Sequence, residues 1–552
     1  MNSQRSFSSF LVAGVIALVA IAIAGFYWIF AKSPANLVTA RSQPSAAIFV
    51  SKIAPVMASL LVNPDKLPTL EGEGELSGIK TSVLAKSGID YRQDIQPWLG
   101  NEITLAVTNW DIDRDPENGQ QPGYLMALGT TKPEKSREFV ELLFSKRVLA
   151  GSNLATEAYK GVKLLYDDPP PAQGALAGAL VGNDFVLFAN DPKVLRDAIN
   201  NVQAPDLNLT TSAQYQKATE QLPGGALAVA FLNLPTVAKW QGLELSAPSY
   251  DSEIISLALN PKGLLAETSF LGASAIVPPS PPLSQPVGAL KYIPVSAGLA
   301  ISGANLSNLG DSELAKLWRQ ATETIYGSGE DAIAKLAQPL LDLQKLWGIN
   351  LPADIFSWVQ GEYALALLPQ KAQKTVSWVF AVEQSPEVIA GIANLDAIAN
   401  AKGLSISPIT LDQQKVSTWT KLTAASKPTN TKDQTALDVE AKVQGVHTTL
   451  GNYEIFTSDL ETMKEILTSG EDSLINHRNF QDSIATIPQP NQGYVYLDWI
   501  KSQQFLERQL PILKLVEILG KPFFNNLRSL TVSTYNSDTE ALKAGVFLQL
   551  QP

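Results

Sequence analysis

The chain has 552 residues, more than one hydrophobic core usually serves, so two or more domains are expected. Hydrophobic residues make up 45% and charged residues 17%, which argues against a disordered chain; the net charge of −11 argues against a nucleic-acid partner, because an acidic surface repels phosphate. Cysteine is absent and the two histidines, His447 and His477, lack the spacing of a His-Glu-x-x-His helix, which excludes disulfides, thiolate sites and that class of zinc enzyme.

The first predicted element is a membrane span. Phe10 to Ala31 is almost wholly apolar and, as a helix, about 33 Å long, enough to cross a hydrocarbon layer of roughly 30 Å. Phe26, Tyr27, Trp28 and Phe30 cluster at one end, as an interfacial aromatic belt does. Ala22-Ile23-Ala24 has the form of a cleavage site, but the apolar run continues through GFYWIF, beyond a usual signal core. The reading is an uncleaved signal anchor: 1–9 cytoplasmic, 10–31 transmembrane, 32–43 a juxtamembrane linker, and the bulk translocated.

Beyond the anchor the sequence repeats itself. Residues 88–107, GIDYRQDIQPWLGNEITLAV, match 348–367, GINLPADIFSWVQGEYALAL, at eight of twenty positions. GNDFVLFANDPKVLRDAI (182–199) resembles GNYEIFTSDLETMKEIL (451–467) with one gap. YQKATEQLP (215–223) lines up with FQDSIATIP (480–488), and AVAFLNL (228–234) with GYVYLDW (493–499). The order is conserved between the two runs, and the period is far too long for a solenoid. The chain therefore reads as a tandem duplication, with copies at 44–275 and 288–552 that should pair Trp98 with Trp358 and Asp191 with Asp459. Between them VPPSPPLSQP (277–286) cannot form helix or internal strand, so 276–287 is a semi-rigid linker.

Within a copy, EITLAVTN (102–109), YLMALGT (124–130), DFVLFA (184–189) and ALAVAFLN (226–233) are short, apolar and bounded by turn residues, as strands are. KSREFVELLFSK (135–146) and PKVLRDAIN (192–200) have helical spacing. The mixture predicts an α+β fold with mainly antiparallel sheet and packed helices. Ile95, Trp98 and Leu99 fall on one face of a short helix with Asp94 as N-cap, and Asp354 stands likewise in the second copy. Asp191 before Pro192, and Ser458 with Glu461, have the spacing of helix caps. Glu102 and Glu362 recur without a second acid or histidine beside both, so they read as surface or capping residues, not as catalysts.

Sharper motifs are weak. Asp111, Asp113, Asp115 and Glu117 have the alternation of a calcium loop, but Pro116 and Pro122 stand where an EF-hand needs Gly and a carboxylate; an acidic hairpin tip is the plainer reading. GSGEDA (327–332) follows a helical stretch, where a dinucleotide motif needs a strand, and Ser77 with Lys80 lacks its companion motifs. No P-loop or G-x-S-x-G is present, and no cofactor or catalytic set is assigned. In FLERQLPILKLVEILGKPFF (505–524), Leu506, Leu510, Leu513 and Leu519 read as a buried core helix or as a contact for a partner or membrane surface.

The anchor, the two copies of GI(D/N)…DI…W…E…LA and the proline-rich linker resemble a cyanobacterial family of unknown function, domain-of-unknown-function family 3352. The resemblance covers most of the chain. It implies a photosynthetic bacterium, hence a thylakoid or plasma membrane, and brings no catalytic residues. The leading expectation is a non-enzymatic, membrane-anchored tandem-domain protein of the lumen or periplasm that binds or helps assemble envelope or photosynthetic components through a protein partner. A carrier of an apolar ligand and a hydrolase without a recognisable motif are the other classes. A large apolar cavity favours the carrier, and a cleft with two convergent carboxylates the hydrolase.

Overall fold

The computed structural model describes residues 43–63, 91–113, 115, 117, 119–168, 175–241, 250–272, 282–307, 350–369, 376–427, 436–470, 472–509, 524–538 and 540–551. The apolar segment 10–31, the Ser77 and Lys80 pair, GSGEDA and the first half of the proline-rich linker, 276–281, lie outside them. No helix among the described residues is long and apolar enough to cross a membrane.

The apolar runs with period two form strands, all paired antiparallel, and the class is α+β as expected. The first ten strands are β1 (Val56–Leu60), β2 (Leu99–Asn109), β3 (Gly123–Thr130), β4 (Leu154–Tyr159), β5 (Val162–Asp167), β6 (Ala177–Val181), β7 (Phe185–Ala189), β8 (Ala228–Asn233), β9 (Ser252–Asn260) and β10 (Gly263–Leu271). The next ten are β11 (Leu299–Ala304), β12 (Glu362–Pro369), β13 (Val376–Glu383), β14 (Leu404–Leu411), β15 (Gln414–Lys427), β16 (Ala436–Leu450), β17 (Tyr453–Thr457), β18 (Tyr494–Asp498), β19 (Leu527–Thr534) and β20 (Ala541–Leu550).

Among the described residues these make one 20-stranded sheet. Its first half runs β4-β5-β6-β7-β3-β2-β1-β8-β9-β10. Its second half runs β20-β19-β18-β11-β12-β13-β17-β16-β15-β14. Each pairing in the first half has its counterpart ten strands later. The halves join where β10 pairs with β20, from Gly263 opposite Gln549 to Leu271 opposite Ala541.

The helices follow the same order. After β3 and β13 come α1 (Pro133–Leu149) and α5 (Pro386–Ala401); after β7 and β17 come α2 (Pro192–Gln203) and α6 (Leu460–Ser469). Then follow α3 (Ala213–Thr219) and α7 (Arg478–Ile484), and, after β8 and β18, α4 (Leu234–Gln241) and α8 (Trp499–Gln509). The capping expectation holds for α2, where the Asp191 carboxylate accepts the Lys193 N–H. For α6 it needs correcting. The helix starts at Leu460, one residue later than a Ser458 cap requires, and Asp459 accepts the Thr462 N–H at 2.8 Å.

Side chains alternate between two faces of the sheet. On one face Phe49, Leu195, Ala198 and Tyr215 close the core of the first half, and Leu290, Met463, Ile466 and Phe480 that of the second. The other face is covered by α1 through Phe139, Leu143 and Phe144, by α4 through Val237 and Trp240, by α8 through Trp499 and Phe505, and by α5 through Val388 and Leu395. Each large side chain so buried contributes about 1.5–3 kcal/mol.

The short helix expected over Ile95 to Leu99 is not formed, because β2 already begins at Leu99. A wide π-type turn, Tyr91–Ile95, precedes it, and Leu351–Ile355 does the same before β12. Asp94 is therefore not an N-cap. Its carbonyl oxygen accepts the indole N–H of Trp98 at 2.7 Å. Asp354 does the same for Trp358 at 2.6 Å, while its carboxylate accepts the Asn350 N–H.

Candidate functional site

The face that carries α1 and α4 holds a groove of about 370 Å³ over β1, β2, β3 and β7, walled by Val56, Ala58, Leu105, Val107, Met126 and Phe188. Pairing sets four of them in one row: Ala58 opposes Leu105, Leu105 opposes Met126, and Met126 opposes Phe188. Tyr124 and Asn190 close one end. The Asn190 amide is bonded to the Tyr124 N–H at 2.7 Å and to the Pro122 carbonyl at 2.9 Å. Burial pushes the Tyr124 phenol up to about 12, so it stays neutral.

The second half has the same row in the same register with larger side chains. Ile301 opposes Leu365, Leu365 opposes Phe380, and Phe380 opposes Phe456. Ile301 thus stands at the place of Ala58, Phe380 at that of Met126, and Trp378, opposite Leu367, at that of Tyr124, opposite Val107. These rings pack into a cluster with Trp358, Trp419 and Phe456. At the register positions that wall the groove in the first half, the second half carries Ile301, Trp378 and Phe380.

Of the residues singled out from sequence, Glu102 and Glu362 turn out to be architectural. Glu102 accepts the N–H groups of Ser45 (3.0 Å) and Ala46 (2.8 Å), at the start of a 3-10 turn, Ser45–Phe49. Glu362 accepts the Gly288 N–H (2.6 Å) at the start of the corresponding turn, Gly288–Tyr292, and the Tyr453 hydroxyl (2.7 Å). In the acidic tip between β2 and β3, the carboxylates bond to their own loop. Asp111 accepts from Gln121, Asp113 from Asp115, and Asp115 from Glu117. Among the described residues no three His, Asp or Glu side chains gather as metal ligands. Leu506 is buried with Trp499, Phe505, Leu548 and Leu550; Leu510, Leu513 and Leu519 lie outside the described residues.

Two polar features escaped the sequence reading. His447 is buried on β16, its Nδ1 2.8 Å from Glu454 Oε1 and its Nε2 3.9 Å from Asp396 on α5, with Trp419 stacked on it and donating its indole N–H to Asp396. In the first half Gly178 takes the place of His447, each opposing the corresponding phenylalanine of the neighbouring strand, and Phe144 of α1 lies directly over it. The other is Glu253. It is buried between Leu232 and Phe270, with the Thr268 hydroxyl donating to it at 2.8 Å. Desolvation pushes its carboxyl from 4.5 up to about 7, against the opposing effect of that hydroxyl. By register its counterpart in the second half is Leu530. A lone acid inside the apolar run SEIISLALN was the available signal.

The model of a family described as "Protein of unknown function (DUF3352)" matches residues 11–550. The chain belongs to this family. No curated protein matches this DUF3352 chain. Among solved structures, crystal form I of TP0453 is similar at 9% identity and a TM-score of 0.25, over 44% of this chain and 82% of that one. Crystal form III is similar at 12% identity and a TM-score of 0.25, over 43% and 82%. Likeness at that level carries no argument about this DUF3352 protein.

Proposed function

We propose that the chain is a tandem duplication of one α+β domain that acts as a binding protein, not an enzyme, held to the thylakoid or plasma membrane of a cyanobacterium by residues 10–31, with its bulk in the lumen or periplasm. There it binds or helps assemble envelope or photosynthetic components. The matching strand order of the two halves, and the recurrence of Glu102 with Glu362 and of Trp98 with Trp358 in the same backbone hydrogen bonds, support the duplication. These recurring residues hold turns in place and leave recognition to the positions where the halves differ.

The observation that carries the binding reading is the groove. It lies in the first half, and at the corresponding register positions the second half carries the larger Ile301, Trp378 and Phe380. One half then recognises, and the other completes the sheet. Affinity purification of the full chain from detergent-solubilised membranes, with mass spectrometry of proteins and extracted small molecules, tests this. A stoichiometric protein or small-molecule companion is expected. Detergent alone would sink the reading.

A further inference from the structure

We infer that the groove over β1, β2, β3 and β7 takes an uncharged hydrocarbon chain, the tail of a membrane lipid; this rests on the reading of the groove as the site of the binding half. Val56, Ala58, Leu105, Val107, Met126 and Phe188 present carbon, and Met126 adds an adaptable wall. No charged side chain lines the groove, so nothing there compensates a buried ion.

A peptide fits poorly. It brings backbone N–H and C=O groups, each needing a partner. The floor of the groove is sheet whose backbone is paired in the ladder, and the Asn190 amide is already bonded to Tyr124 and Pro122. A hydrocarbon chain makes no such demand. At about 370 Å³ the space lies at the low end of small-molecule pockets, roughly 300–1,000 Å³, which suits one chain and not a globular partner. In the second half the corresponding row carries Ile301 and Phe380, packed with Trp358, Trp419 and Phe456.

The test uses the full chain in detergent, irradiated with a diazirine-bearing dodecanol, with labelled peptides read by mass spectrometry. Labelling of β2, β3 and β7, suppressed by excess dodecanol, is expected. Ala58→Ile with Met126→Phe, the side chains of the second half, should lower that labelling about tenfold or more and leave labelling elsewhere unchanged. Circular dichroism checks the fold, and Ala58→Ile alone serves if the pair unfolds. Equal labelling of folded variant and wild type overturns the proposal. So does absence of labelling in the wild type: with a protein companion recovered from membranes, the binding reading survives without the lipid tail, and with none, both readings fall.

Discussion

Trp98 and Trp358 make the same hydrogen bond, each indole N–H donating to the carbonyl oxygen of the aspartate four residues earlier, at 2.7 and 2.6 Å. Both rings are buried, at 1% and 8% exposure. Trp98→Phe and Trp358→Phe keep an aromatic ring and remove the donor. Each should destabilise its own half by about 1–3 kcal/mol, since a buried hydrogen bond is lost and a small cavity is left. Urea unfolding followed by a probe in each half reads this, and an effect confined to one of the two variants would break the equivalence.

Glu102→Gln and Glu362→Gln are close in shape, but an amide turns one acceptor into a donor that faces N–H groups. A loss of about 1–3 kcal/mol is expected for each, because a charge-assisted cap and a buried donor lose their partner. Unchanged unfolding midpoints would show that the turns before β1 and β11 hold without them.

Glu253 makes stability depend on pH. Its folded value, about 7, lies above its ordinary 4.5, so the native state holds the proton more tightly. Its contribution is fully present below about pH 4.5 and is lost as pH rises through 7. Glu253→Gln keeps a partner for Thr268 and cannot ionise. It should exceed the wild type at pH 8 by about 3 kcal/mol, and the difference should shrink towards pH 5. A pH-independent difference between the two would show that Glu253 does not titrate in this range.

Gly263 begins the strand that joins the halves. Its φ is +157°, and an added Cβ would collide with the Leu548 carbonyl oxygen across the seam. Gly263→Ala should therefore cost about 2–4 kcal/mol and loosen the β10–β20 pairing. Hydrogen exchange localised to 263–271 and 541–550 would register it. By contrast, the exposed Lys217–Glu540 pair between the halves should matter by less than about 1 kcal/mol.

The strands over 102–109, 124–130 and 184–189 were legible because their apolar content is local and bounded by turn residues. The role of Asp191 was legible because Pro192 marks the first turn. Asp94 was misread as a cap because periodicity at Ile95 and Trp98 cannot tell a helix from a single wide turn entering a strand. The groove was not legible at all. Ala58, Met126 and Phe188 lie on three strands, and only their pairing shows that they form a row with a gap above it. His447 and Asp396 likewise meet only once α5 is laid on the sheet.

The seam between β10 and β20 has a consequence for assembly. β20 comes last in the chain, yet it shields the hydrogen-bonding edge of a strand some 270 residues earlier, so the first half emerges with that edge bare. Joining the halves therefore closes a contact across about 270 residues, which costs more loop entropy than the hairpins on either side of it. Completion of β20 is what covers the β10 edge and removes a pairing template from the folded chain.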